Sequence, residues 1–144
     1  MKLTQSQKMG EMFEKLWALN EMMFASDERA PRETLQAHFN EDDIYVLKSA
    51  VTENDLAGFA VVTERGGPYL MIMAIAPAYQ KCGNGRMLLD EIVANYQGSA
   101  MTLTCKVDNV PAQVLYLKSG FQPVRVLPKY YGVHDGILMR RESC

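Results

Sequence analysis

Gln80-Lys81-Cys82-Gly83-Asn84-Gly85-Arg86 is the stretch whose neighbours decide the fold. Ahead of it runs Tyr69-Leu70-Met71-Ile72-Met73-Ala74-Ile75, an apolar segment of strand length that stops before Pro77. Behind it, the residues from Met87 to Tyr96 carry apolar side chains at 88, 89, 92, 93 and 96, the spacing of a helix face. Strand, glycine loop and helix in that order aim unpaired backbone N–H groups and the positive end of a helix dipole at an anion. Glycines without a Cβ let the ligand approach the main chain. The loop is therefore a candidate grip for phosphate or pyrophosphate, although a Gly-x-Gly also suits a plain tight turn. It is not a nucleoside-triphosphate loop, because no Gly-Lys-Ser/Thr follows a four-residue gap. Nor is it a dinucleotide fingerprint, since Leu88 stands where a third glycine is required.

Outward from this loop the pattern alternates. Upstream, Ser6 to about Ala25 reads as one amphipathic helix with Met9, Met12, Phe13, Leu16, Leu19 and Met23 on a single face. Such a Met-rich face suits either a partner surface or the underside of a sheet, and the latter is the expectation. Pro31 opens a short second helix that ends near Phe39. Strands are expected at 44–48 and 56–62, joined by a turn at 52–55, and Gly66-Gly67 turns the chain into the strand 69–75. These three form an antiparallel meander. Downstream of the 83–97 helix come a strand at 101–106, a helix at 111–118, and strands at 121–130 and 136–140. The strands starting at 69 and 101 flank a helix and should be parallel neighbours through a right-handed crossover. Helices on a mixed sheet define an α/β or α+β fold.

Composition narrows the function classes. The chain has 144 residues, of which 48% are apolar and 22% charged, the balance of one globular domain spanning 1–144. A net charge of −2 leaves no electrostatic footprint for nucleic acid or an anionic membrane. Cys82, Cys105 and Cys144 are an odd set without metal-ligand spacing, so no disulfide framework and no metal site is expected. Met1 to Lys15 is polar and mixed in charge, unlike a secretion signal, and reduced thiols fit the cytoplasm.

Three blocks in order resemble the Gcn5-related N-acetyltransferase (GNAT) superfamily. Met73-Ala74-Ile75-Ala76-Pro77 is similar to the end of that family's fourth strand. Gln80-x-x-Gly83-x-Gly85 is similar to its pyrophosphate loop. Asn109-x-x-Ala112-x-x-Leu115-Tyr116-x-Lys118-x-Gly120-Phe121 resembles its later motif at every anchor. The match covers about residues 56 to 140, and Tyr130-Tyr131 followed by Asp135 and Met139 looks most like the ribosomal-protein N-terminal acetyltransferases.

The resemblance implies a splayed mixed sheet flanked by about four helices, and transfer of acetyl from acetyl-CoA to a primary amine by direct attack through a tetrahedral intermediate. It implies that the backbone of Ile75 pairs with the pantetheine arm, one N–H there facing the thioester oxygen. It assigns Gln80 and the amides of Cys82, Gly83, Asn84, Gly85 and Arg86 to the pyrophosphate, and Asn109 to CoA. Tyr116 is implied as the general acid that protonates the departing thiolate. The ribosomal-type glutamate that acts as base falls at Thr104, which cannot accept a proton at neutral pH. Glu64, Tyr131, His134 and Asp135 are the substitutes weighed, with His134 preferred for its ordinary pKa near 6.5. With no base, the rate should follow the amine's own ionisation. A non-catalytic acyl-CoA-binding sensor or interaction protein is the alternative. Met1 to Thr4 is short for the family's first strand, which would leave the strand at 44–50 as an edge for a homodimer.

Overall fold

The computed structural model describes residues 1–26, 29–49 and 55–143. The elements run α1 (Gln5–Lys8), α2 (Met12–Met23), α3 (Arg32–Glu41), β1 (Asp43–Lys48), β2 (Leu56–Thr63), β3 (Tyr69–Ile75), a 3-10 turn (Pro77–Tyr79), α4 (Asn84–Ala94), β4 (Met101–Lys106), α5 (Val110–Lys118), β5 (Gln122–Tyr131) and β6 (His134–Arg141). One sheet orders them β1-β2-β3-β4-β6-β5. β1, β2 and β3 are the expected antiparallel meander, and β3 and β4 are the expected parallel pair around α4. Most of the turn expected at 52–55, and Cys144, lie outside the described residues.

Two expectations are corrected. The single helix over 6–25 is two, because Gly10 takes a left-handed φ of +85° and breaks the hydrogen-bond ladder between α1 and α2. Thr4 and Gln7 form a reciprocal capping box that gives α1 its own start, and Met9 is left exposed instead of joining the apolar face. The stunted first strand is present as an isolated bridge of Lys2 to Tyr45. It nonetheless covers the edge of β1, since the Leu3 N–H donates to Ile44 O at 2.7 Å and the Val46 N–H to Met1 O at 2.9 Å. Of the 44–50 edge expected to be open for a second copy, the part from Ile44 to Val46 is therefore taken.

Apolar residues on the two faces of the sheet make two cores. On one face Leu88, Leu89 and Ile92 of α4 pack with Leu70, Leu103 and Phe121. On the other, Phe13, Leu16 and Leu19 of α2 and Leu35 and Phe39 of α3 pack with Phe59 and Val61. The alternation along β4 places Met101, Leu103 and Cys105 toward the first core and Thr102, Thr104 and Lys106 away from it.

β3 leaves β4 early. Tyr69 pairs with Thr102 and Leu70 with Leu103, and the ladder stops there. At the same point β3 carries a bulge, because the register against β2 passes from Ile72 to Leu70 and skips Met71. A bulge bends and twists the strand that bears it. Beyond it β3 stays paired with β2 up to Gly58 opposite Ile75. The gap between β3 and β4 is thus built into the sheet.

Gly58 holds the far side of this gap. A Cβ built there would lie 2.8 Å from Ala74 O and 2.6 Å from Ile75 Cδ1. The first contact is with backbone, so an added methyl pushes β2 and β3 apart at the end where β3 is free of β4. Gly58→Ala should cost about 1–3 kcal/mol in urea unfolding. An unchanged midpoint would show that the strands have room to spare.

Candidate active site

The loop before α4 is held by its own side chains. Gln80 Nε2 donates to Ile75 O at 2.9 Å, and Asn84 Nδ2 donates to Tyr79 O at 2.9 Å. Gly83 is the N-cap of α4 with φ +83°, a conformation that suits glycine, and no side chain caps the helix. The first intrahelical bond runs from Met87 N–H to Gly83 O at 3.0 Å. The amides of Asn84, Gly85 and Arg86 precede that ladder and point out of the helix end. Arg86 lays its side chain along the helix, its Nε 3.0 and 3.2 Å from the Asp90 carboxylate oxygens. Cys82 is exposed and its thiol donates to Gln80 O at 3.2 Å. Gly85 faces α5 and β3: a Cβ there would sit 3.4 Å from Leu115 and 3.8 Å from Ile75.

The free edge of β3 follows from strand alternation. Ala76 N–H donates to Ala57 O at 2.7 Å, so Ala74 and Ile72 also turn their main-chain groups to β2. The N–H groups of Met73 and Ile75 therefore face the gap, a strand edge open to an extended ligand.

That gap continues into a cleft of about 420 Å³ that passes from one face of the sheet to the other. Asn109, Ala112 and Tyr116 of α5 wall it on one side, and Met23, Arg29, Thr34 and His38 wall it on the other. Met71, Ile72, Met73, Thr104, Cys105 and Tyr131 line it between them. Ile75 and the 80–86 loop are not among its lining residues; Ile75 follows the lining residue Met73 along the same edge of β3, and Gly85 lies beside Ile75.

Asn109 is the N-cap of α5, where its Oδ1 accepts from Ala112 N–H at 3.3 Å and Pro111 begins the helix. Two turns beyond the cap, Tyr116 is buried and packs edge-on to Phe121 at 6.0 Å between centroids. Burial pushes its phenol well above the ordinary tyrosine pKa, and nearby Cys105 and Tyr131 push the same way. The hydroxyl thus stays protonated at neutral pH, as a proton donor must.

Thr104 is not simply an absent carboxylate. Its Oγ1 lies 2.9 Å from Tyr69 Oη and 3.1 Å from Tyr131 Oη, so it bridges two tyrosines. Burial raises the pKa of both phenols. This hydroxyl cluster orients hydrogen bonds but has no group ready to accept a proton at neutral pH.

The substitutes weighed from sequence fall elsewhere. His134 opens β6 at the exposed hairpin and its Nδ1 lies 3.5 Å from Asp108 Oδ2. It is not among the cleft-lining residues, nor are Glu64 or Asp135, whose Oδ1 accepts from the Lys129 N–H at 2.9 Å. Tyr131 alone of the four lines the cleft. What sequence reasoning missed is His38, which does line it and whose Nδ1 lies 2.6 Å from Asp42 Oδ2. The signal was the i,i+4 spacing of His38 and Asp42 at the end of a helix. Among the described residues no carboxylate lines the cleft, whereas Arg29 and Lys106 do.

Comparison with known proteins agrees with this geometry. An acetyltransferase (GNAT) domain model matches residues 40–123, more than half of the chain. The chain belongs to the GNAT acetyltransferase family. It is 36% identical over 95 residues to the N-alpha-acetyltransferase RimI of Mycobacterium tuberculosis, covering 61% of this chain and 60% of that protein. It is 32% identical over 100 residues to the [ribosomal protein bS18]-alanine N-acetyltransferase of Haemophilus influenzae, covering 67% of this chain and 68% of that protein. The GNAT fold is shared with the crystal structure of the NatC complex bound to Gag peptide and CoA, at a TM-score of 0.83 and 17% identity over 100% of this chain and 98% of that one. The chain spans 28% and 60% of the length of two mycobacterial relatives that it matches.

The Asn109 cap is the part of this GNAT site most directly open to a stability test. Asn109→Ala removes the cap of α5 and should lower unfolding free energy by about 0.5–2 kcal/mol. A smaller change in urea titration would mean that the 3.3 Å contact contributes little.

Proposed function

We propose that residues 1–144 form a single acetyltransferase domain that transfers acetyl from acetyl-CoA to a primary amine in the cytoplasm. The observation that carries this reading is a cleft lined from both faces of the sheet, by residues of α5 on one side and of α2 and α3 on the other, which suits a donor and an acceptor that approach from opposite faces. The donor fits the residues present. Open amides at the α4 N-terminus suit a pyrophosphate, and the free N–H groups of Met73 and Ile75 suit the amide arm that follows it. Gln80 holds the Ile75 carbonyl, so the cofactor is left the N–H side of that residue. Asn109 retains its side-chain NH2 for the cofactor while its oxygen caps the helix. Family membership and relatives that acetylate amines support the same reaction.

Tyr116 is the acid. A phenol of raised pKa is a weak donor to a thiolate in water, whose free-thiol pKa is about 8.5. The burial that disfavours the phenolate disfavours a neighbouring thiolate as well, so the difference that governs proton transfer is smaller than either shift. The second reading, a non-catalytic acyl-CoA sensor, draws on Thr104 and its two tyrosine partners in the place where the family resemblance implies a base. Among the described residues no helix is long and apolar enough to cross a membrane, and no His, Cys, Asp and Glu grouping suited to a metal occurs.

Two substitutions test the parts. Gly85→Asp adds a side chain with ordinary contacts and a charge that suits a helix N-terminus, so folding should survive. The same charge repels phosphate, and calorimetric affinity for CoA should fall by at least about tenfold, the equivalent of 1.4 kcal/mol. Wild-type affinity would remove the loop from the cofactor site. Tyr116→Phe should leave that affinity intact and lower kcat by about 10²–10⁴. A sensor would bind CoA and release no free thiol from acetyl-CoA with any amine.

A further inference from the structure

We infer that the general base of this site is His38, on the acceptor side of the cleft and oriented by Asp42. The inference rests on the acetyltransferase reading and supplies the proton acceptor which that reading lacks. Three observations carry it. His38 lines the cleft that Thr104 and Tyr116 also line. Its Nδ1 is committed to the Asp42 carboxylate at 2.6 Å, and that carboxylate is nine-tenths shielded from solvent. Among the described lining residues, histidine is the one side-chain type whose ordinary pKa lies near neutrality, the others that titrate being arginine, cysteine, lysine and tyrosine.

The carboxylate decides which nitrogen can act. Asp42 accepts from Nδ1–H, which leaves the Nε2 lone pair as the site that takes a proton. The pair is held in place from its own side. The Asp42 N–H donates to His38 O at 2.8 Å, and Lys8 Nζ of α1 donates to Asp42 O at 2.6 Å. The other charged or titratable side chains lining the cleft are Arg29 before α3, Cys105 and Lys106 of β4, Tyr116 of α5 and Tyr131 of β5, and beyond Asp42 lie Lys8 and Asp43. Arg29 donates to Phe24 O at 3.0 Å and pairs with Glu21, so this cation in the wall has partners of its own. An i,i+4 histidine and aspartate can also be a plain helix-end contact, and the test must separate the two roles.

An ammonium acceptor gives one proton to His38 Nε2 and becomes a neutral amine. The amine nitrogen bonds to the acetyl carbon, and collapse of the tetrahedral intermediate breaks the carbon–sulfur bond. The sulfur takes a proton from Tyr116, and the surplus proton on nitrogen restores the phenol. The imidazolium returns its proton to water. One ammonium and one thioester give one amide, one thiol and one proton.

The experiment measures kcat/KM against pH with acetyl-CoA and two hexapeptides, one starting with alanine and one with the more basic β-alanine. In the wild-type protein both profiles should share an inflection set by the enzyme. His38→Gln should lower kcat/KM about 10²-fold at neutral pH, keep CoA affinity, and make each profile follow its own amine, with the loss shrinking as pH rises. Asp42→Asn should lose activity in the same direction with less effect on packing. The chain's two histidines allow a second readout. Nitrogen-15 spectra should show His38, assigned by its absence in His38→Gln, as the Nδ1–H tautomer, and Asp42→Asn should weaken that preference. A wild-type profile in His38→Gln, or loss of the shared inflection in His134→Gln instead, overturns this inference and leaves the acetyltransferase reading standing. An Nε2–H tautomer also overturns it. A wild-type protein that binds CoA and releases no thiol with either peptide overturns the acetyltransferase reading and this inference together.

Discussion

The separation of β3 from β4 is the constraint on which the site depends. Parallel strands that stayed paired along their length would satisfy each other's main-chain groups and close the sheet. Here the pairing ends at Leu70 and Leu103, beside a bulge that skips Met71. From there β3 is held by β2 alone, with Gly58 allowing the close approach opposite Ile75. The N–H groups of Met73 and Ile75 are left without a strand partner. A polar ligand running along this edge restores the missing hydrogen bonds, and the helix end beside it attracts the ligand's negative charge.

The gap also brings side chains from the two faces of the sheet to one cleft. α4 and α5 cover one face of the sheet and α2 and α3 the other, each with its own apolar core. The cleft joins the two faces at the gap, between Tyr116 on one side and His38 on the other, with Thr104 between strands. Alternation along β4 sets this division. Cys105 turns toward Tyr116, whereas Thr104 turns toward the tyrosine hydroxyls on the opposite face.

Much of this was legible from the residues, for physical reasons that differ by element. The glycine loop and the Asn109 cap are local features, so their sequence signals carried over to the structure. The parallel pairing of β3 and β4 followed from the helix between them, since such crossovers have one hand. The split of the first helix was missed because apolar spacing continues across Gly10, and periodicity does not register one left-handed residue. The base was missed for a different reason. His38 and Asp42 lie about 70 residues from Thr104 and Tyr116, and only tertiary packing brings α3 to the same cleft. His134 drew attention because the ordinary pKa of a histidine suits a base, yet its strand places it at an exposed hairpin away from the cleft.

Amide hydrogen exchange with and without CoA tests the central claim most directly, because it reports on individual main-chain groups. If the β3 edge and the α4 N-terminus together hold the cofactor, the amides of Met73, Ile75, Asn84, Gly85 and Arg86 should slow on addition of CoA, while those of Ile72 and Ala74, already bonded to β2, should change little. Protection confined to other parts of the chain, or none at all at saturating CoA, would contradict the account.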